Sequence, residues 1–169
     1  MYPIALDAPT EVLLYGDNID GVMVPPRYFE RYCVLAYNKF ARTVHQADKI
    51  MCVHMDGRLK ELATHIGRSE IDVVEAFTPP PLGNFPINEA LATWPDKVVW
   101  MNYPSSIYLQ GPDAVREHLR ELLIQAAPGD RLLLTASSEN YVAEECLMAA
   151  TRIMEKASLP LTEGHVRSI

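Results

Sequence analysis

The sequence predicts an α/β fold in which about five parallel strands alternate with helices. Two observations carry this. Five short apolar runs of strand length recur along the chain, and the segments between them follow helical rather than alternating periodicity. A third observation agrees: the runs are almost continuously apolar, as strands buried on both faces of a parallel sheet are. The runs are EVLLY (11–15), IMCVH (50–54), IDVVEA (71–76), KVVWM (97–101) and RLLLT (131–135).

The helices follow in order. Pro25-Pro26 opens the longest, which runs through RYFERYCVLAYNKFARTVHQA to about Ala47, because proline is tolerated in a first turn that needs no donor. After Gly57, the residues Leu59, Leu62, Ala63 and Ile66 make one apolar stripe. Asn88 to Trp94 forms a short helix confined by Pro86 and Pro95. Near Pro112-Asp113 a fourth helix begins, with Val115, Leu119, Leu122 and Ala126 on one face and acidic Asp113 and Glu117 near its positive end. The last begins near Tyr141 and carries Val142, Cys146, Ala149 and Ile153 on one face. Ser158 to Ile169 reads as a tail. No repeat or linker divides the 169 residues, so 1–169 is expected to be a single domain.

Bulk properties narrow the function classes. The formal net charge is −7 and the Lys and Arg residues are scattered, which gives no footprint for a phosphate backbone and argues against nucleic acid. Cys33, Cys52 and Cys146 are odd in number and widely spaced, and Met1-Tyr2-Pro3 opens no targeting segment. A reducing, cytoplasmic setting is therefore expected. No apolar run approaches the roughly 20 residues that span a bilayer, so no membrane partner is expected.

The clearest functional signal is where the polar residues fall. Read to their C-terminal ends, the strands close on Gly16-Asp17-Asn18, His54-Met55-Asp56, Glu75, Asn102-Tyr103 and Ser137-Ser138-Glu139. Parallel α/β sheets bind ligands beyond those ends. Alternation adds that Ile50, Cys52 and His54 share one face and Ile71, Val73 and Glu75 another, so His54 and Glu75 become neighbours if both faces point inward. A histidine beside a carboxylate can act as an acid/base pair or hold a divalent metal. The plainer alternative stands beside it: a lone strand-end histidine is ordinarily a hydrogen-bonded structural residue, and Asp56-Gly57 an ordinary turn. Glu75 is harder to set aside, since a carboxylate closing an apolar strand needs water, a cation or a donor. Phe77 opens FTPPPLG, a stiff segment suited to a pocket wall. Cys52 reads as a buried, inert thiol.

With those residues in place, the order of features resembles the uroporphyrinogen decarboxylase superfamily, which includes the corrinoid-dependent methyltransferases. The residues that carry the likeness are Gly16-Asp17-Asn18 followed by PRYFERY (26–32), IMCVHMDG, IDVVEAFTPPPLGNFPINEAL, and the segment from Val98 through Gly111-Pro112-Asp113-Ala114-Val115. They extend over about 10–157. The resemblance implies a partial TIM (β/α)8 barrel, about five parallel βα units corresponding to strands four to eight. It implies a partner as well: another copy, or an N-terminal half-barrel, would cover what five open strands expose.

What the resemblance implies chemically is a site at the strand ends acting on a small molecule. His54, Asp56 and Glu75 would be catalytic or would hold a divalent metal such as zinc. Asp17, Asn18, Phe77, Asn102, Tyr103, Ser137 and Glu139 would bind substrate. In thiol-directed methyltransferases of this type, a His-X-Cys pair and a later cysteine hold zinc. This chain matches the first position with His54, has Asp56 at the second, and Ser137 or Ser138 at the third. Corrinoid-linked methyl transfer, with the corrinoid supplied by a partner protein, is the leading expectation. The alternatives are a fragment of a tetrapyrrole decarboxylase, whose substrate-holding arginines and aspartate would lie in a separate N-terminal half, and a non-catalytic half-barrel that binds a small molecule or partner.

Overall fold

The computed structural model describes residues 2–136 and 141–169. All five expected strands form: β1 (Val12–Tyr15), β2 (Ile50–His54), β3 (Val73–Phe77), β4 (Val98–Asn102) and β5 (Leu132–Thr135). They make one parallel sheet in the order β1-β2-β3-β4-β5, so each strand lies beside its sequence neighbour. Sequential parallel strands need a crossover between each pair, and the helical segments supply it.

The expected first helix is one helical run from Pro26 to His45. It comprises α2 (Pro26–Tyr28), a wider π-helical turn at Phe29–Val34, and α3 (Leu35–His45). A short helix, α1 (Tyr2–Leu6), precedes β1. A tight 3₁₀ turn at Lys60–Leu62 leads into α4 (Ala63–Gly67), and Leu59, Leu62, Ala63 and Ile66 are all buried, as their spacing requires. The remaining crossovers are α5 (Ile87–Thr93), a 3₁₀ turn at Ser105–Gln110, and α6 (Pro112–Gln125). The helix expected near Tyr141, α7, spans Glu144–Met154 and begins later than expected, with Val142 half-buried ahead of it. The segment read as a tail also departs from expectation. Thr162 caps a short α8 (Glu163–Ser168) by accepting the His165 amide, and Leu161 and Val166 are buried against the body.

The helices cover one face of the sheet. On that side Leu13, Met51, Val53, Val74, Val99 and Met101 form the core with Trp94, Leu119 and Leu122. The alternate residues point the other way. Val12, Leu14, Ile50 and Leu133 are 40%, 58%, 41% and 48% exposed on that second face.

The N-terminal ends of the strands are closed by cations that the chain's own carbonyls satisfy. Lys97 is fully buried and donates to the Ser69 and Ile71 carbonyls at 2.9 and 3.1 Å. Lys49 donates to Ala8 and Thr10, and Arg131 to Leu91, Trp94 and Lys97. Each basic residue before a strand clamps the segment that leads into the neighbouring earlier strand. Among the described residues no helix is long and apolar enough to cross a membrane. All three cysteines are unpaired.

Candidate functional site

The site is built at the C-terminal rim by β2 and β3. Their register sets His54 directly opposite Glu75. The His54 Nδ1 and Glu75 Oε2 atoms are 2.6 Å apart, with the carboxylate mostly buried and the imidazole half-buried. This is the pairing that alternation predicts. The carboxylate on Nδ1 leaves Nε2 directed outward, where Asp56 Oδ2 lies 3.8 Å away. Asn18, with its amide nitrogen turned toward Asp56, donates to Oδ1 at 3.1 Å and to Oδ2 at 3.3 Å. The rim thus carries two hydrogen-bonded pairs, His54 with Glu75 and Asn18 with Asp56, that approach each other to 3.8 Å.

The backbone explains why this line forms. Asp20 accepts the amides of Val22 and Met23 on Oδ1 and that of Arg58 on Oδ2, tying the loop after β1 to the loop after β2. Burial alone would raise the Asp20 carboxyl, but those three amides and the nearby Arg58 outweigh it and hold it below the ordinary value. Gly57 makes the approach possible, since a Cβ there would come within 2.3 Å of Asp20 Oδ2. Asp17 lies on the same loop and accepts a 2.6 Å hydrogen bond from Tyr37, a buried residue of α3. Burial, followed by that bond to Asp17, pushes the Tyr37 phenol well above its ordinary range, so it remains a donor.

Two residues expected in the site are elsewhere. Phe77 is fully buried on the helix side, edge-on to Phe85 and Trp94. Simple alternation would place it with Glu75. A bulge between Val74 and Phe77 intervenes, with Ala76 at φ 59°, and rotates Phe77 onto the face of Val74. Tyr103 is also turned inward: its hydroxyl donates to the Val115 carbonyl, and its ring packs on Tyr108 and His118. Asn102 stays half-buried at the end of β4, opposite Thr135. Ser137, Ser138 and Glu139 lie outside the described residues.

Three functional neighbours escaped the sequence reading. Trp100 precedes Asn102 by two residues and shares its face, where its indole donates to Thr135 Oγ1 at 2.5 Å. That alternation was a usable signal. Tyr37 and Asp20 act through contacts between distant segments, for which a single sequence holds no signal. Below His54, Cys52 is buried, and burial with the nearby Glu75 pushes its thiol up to about 12.

The donor set can be tested as a metal shell. Glu75 is engaged on Nδ1 rather than turned toward a shared point, so His54 Nε2 and Asp56 remain. Catalytic zinc takes three protein ligands. Among the described residues no group of three or more His, Cys, Asp or Glu side chains is arranged to hold a metal ion. The arrangement instead resembles an oriented acid/base histidine, with one ring nitrogen fixed by a carboxylate and the other free to exchange a proton.

No family model and no curated protein matches the chain. The fold does have a solved counterpart. A methyltransferase from Methanosarcina mazei superposes with a TM-score of 0.66 at 12% identity, covering 85% of this chain and 41% of that one. The chain is a partial (β/α)8 barrel. It spans 41% of the length of that methyltransferase, and at 12% identity the likeness is one of fold.

Proposed function

We propose that this chain contributes the acid/base half of a methyltransferase-like barrel site, of the corrinoid-linked kind within the uroporphyrinogen decarboxylase superfamily. The observation that carries the reading is the His54–Glu75 pair, joined at 2.6 Å across adjacent strands at the C-terminal end of the sheet. Likeness of fold to a solved methyltransferase supports the reaction class.

In this reading a corrinoid held by a partner protein supplies the methyl carrier, as a co-substrate. His54 Nε2 removes the proton from a small thiol or similar acceptor as the acceptor attacks the methyl group. The electron pair of the broken methyl bond stays with the carrier. Glu75 fixes the ring through Nδ1 and stabilises the imidazolium that forms. Asp56, held by Asn18, orients the acceptor proton, while Asp17 and Asn102 line the approach. Among the described residues the two donors left facing outward do not complete a zinc shell, and the step is written on the side chains alone.

The test supplies free methylcobalamin as donor and a panel of small thiols as acceptors, and follows loss of the methylcobalamin absorbance. The expected result is transfer above the buffer rate that falls by about 10²- to 10⁴-fold in His54→Ala. Equal rates for wild type, His54→Ala and buffer, alongside saturable binding of a thiol, would replace catalysis with the binding-module alternative.

A further inference from the structure

We infer that the acceptor taken at this rim is a small organic cation, a thiol carrying a quaternary ammonium group, and that Trp100 receives its cationic end. This rests on the reading above for the reaction and adds the class of substrate. Charge is divided between the two ends of the sheet. Lys49, Lys97 and Arg131 enter the strands at the N-terminal end, whereas the C-terminal rim carries Asp17, Asp56 and Glu75. Among the described residues no lysine or arginine forms an ion pair with any of these three carboxylates. The Tyr37 hydroxyl bonds Asp17, the Asn18 amide bonds Asp56, and His54 pairs with Glu75. Arg58, in the loop after β2, has Asp20 and Glu61 beside it. With His54 neutral, as a proton acceptor must be, the field of the rim favours a cation over an anion.

An aromatic ring stands next to those carboxylates. The register sets His54 of β2 on one side of Glu75. On the other side Val74 pairs with Val99 and Phe77 with Met101, which brings Trp100 of β4 level with Glu75 and Ala76. Neighbouring strands lie about 4.8 Å apart, so His54 and Trp100 flank Glu75 with their backbones roughly 10 Å from each other. All three occupy the face that the helices leave open, close enough for one small molecule to touch them together. Trp100 donates its indole N–H to Thr135 Oγ1 at 2.5 Å. That bond ties the ring to β5 and spends its single donor, so the indole offers a ligand only its π surface. Of the aromatic side chains, tryptophan attracts a cation most strongly.

These surroundings also select among cations. A primary ammonium brings three N–H donors that each need an acceptor, and the indole face supplies none. A quaternary ammonium has no N–H to satisfy and spreads its charge over methyl groups, which suits an aromatic face beside carboxylates. The same open face is apolar below the rim, where Leu14, Ile50 and Leu133 are exposed. With the cationic head against Trp100, a short carbon chain carries the thiol across Glu75 to His54 Nε2. Trp100 thus acts as a specificity residue, and the methyl-transfer step itself stays as written above.

Isothermal titration of the chain with choline, and with its carbon isostere in which an uncharged carbon replaces the ammonium nitrogen, tests the class of ligand. Choline is expected to bind saturably and at least about tenfold more tightly than the isostere. Trp100→Leu should abolish that preference and Trp100→Phe should keep part of it, with far-UV circular dichroism showing that each variant folds. The comparison of the two ligands needs no variant, so it decides even where a variant fails to fold. Equal affinity for both ligands, no saturable choline binding, or choline binding unchanged in folded Trp100→Leu overturns the inference. Transfer from methylcobalamin then separates the substrate class from the reaction. Thiocholine should exceed its carbon isostere by about tenfold in kcat/KM, with the difference in KM. Transfer to both thiols at equal kcat/KM overturns the cation site and leaves the reaction standing. Selective choline binding with thiocholine transfer at the buffer rate leaves the cation site standing and overturns the reaction.

Discussion

The two ends of the sheet use polar residues in opposite ways. At the N-terminal end, Lys49, Lys97 and Arg131 donate to backbone carbonyls of the segments leading into the neighbouring earlier strand, and Lys97 to Asp96 as well. At the C-terminal end, His54 Nε2 lies 3.8 Å from Asp56, and both side chains are partly exposed. The first set answers the cost of burying carbonyls where strands begin. The second set stays partly exposed to solvent. Polar residues at both ends look alike in sequence; what separates them is whether their valences are already filled.

The sharpest way to break this contrast is at Lys97. Lys97→Met keeps the length of the side chain but leaves the Ser69 and Ile71 carbonyls unpaired in a dry site, at a cost of about 2–3 kcal/mol. Urea titration should show the midpoint falling by that amount, and an unchanged midpoint would remove the clamp. At the other end, Glu75→Gln takes the charge from a mostly buried carboxylate but keeps an acceptor for His54 Nδ1, and should move stability by less than about 1 kcal/mol. The same titration checks it, and a loss as large as that of Lys97→Met would make the rim pair structural.

Asp20 supplies the smallest effect and refines the contrast, since it sits at the rim yet has its valences filled. Its carboxyl lies below the ordinary value in the folded chain, so the stability it contributes is present above the unfolded-state pKa. That contribution is lost as pH falls through the lower, folded-state value. Wild type should exceed Asp20→Asn in thermal stability near neutrality, with the gap closing below about pH 4. A gap that widens on acidification would show the opposite sign.

The strands were legible because buried parallel strands advertise themselves as unbroken apolar runs, and the pairing of His54 with Glu75 followed from period-two alternation alone. Alternation failed at Phe77 because it assumes an unbroken pleat, and the left-handed Ala76 breaks it without a glycine to announce it. Tyr103 was misplaced for a related reason. It lies just past the strand, where the Val115 carbonyl and the ring of Tyr108, not the pleat, decide its direction. The short α8 stayed hidden because a single buried valine and a capping threonine make too brief a pattern to read as a stripe. The roles of Asp20 and Tyr37 depend on contacts between segments far apart in the chain, which periodicity does not encode.

The two tryptophans stand on opposite faces of the sheet. Trp94 is sealed among the helices, with its indole on the Ala63 carbonyl, while Trp100 lies half-buried on the face the helices leave open. The molecule therefore carries an internal fluorescence reference and a fluorescence reporter. A ligand that covers the open face changes the surroundings of Trp100 and leaves those of Trp94 alone, so occupancy can be read from emission without attaching a dye.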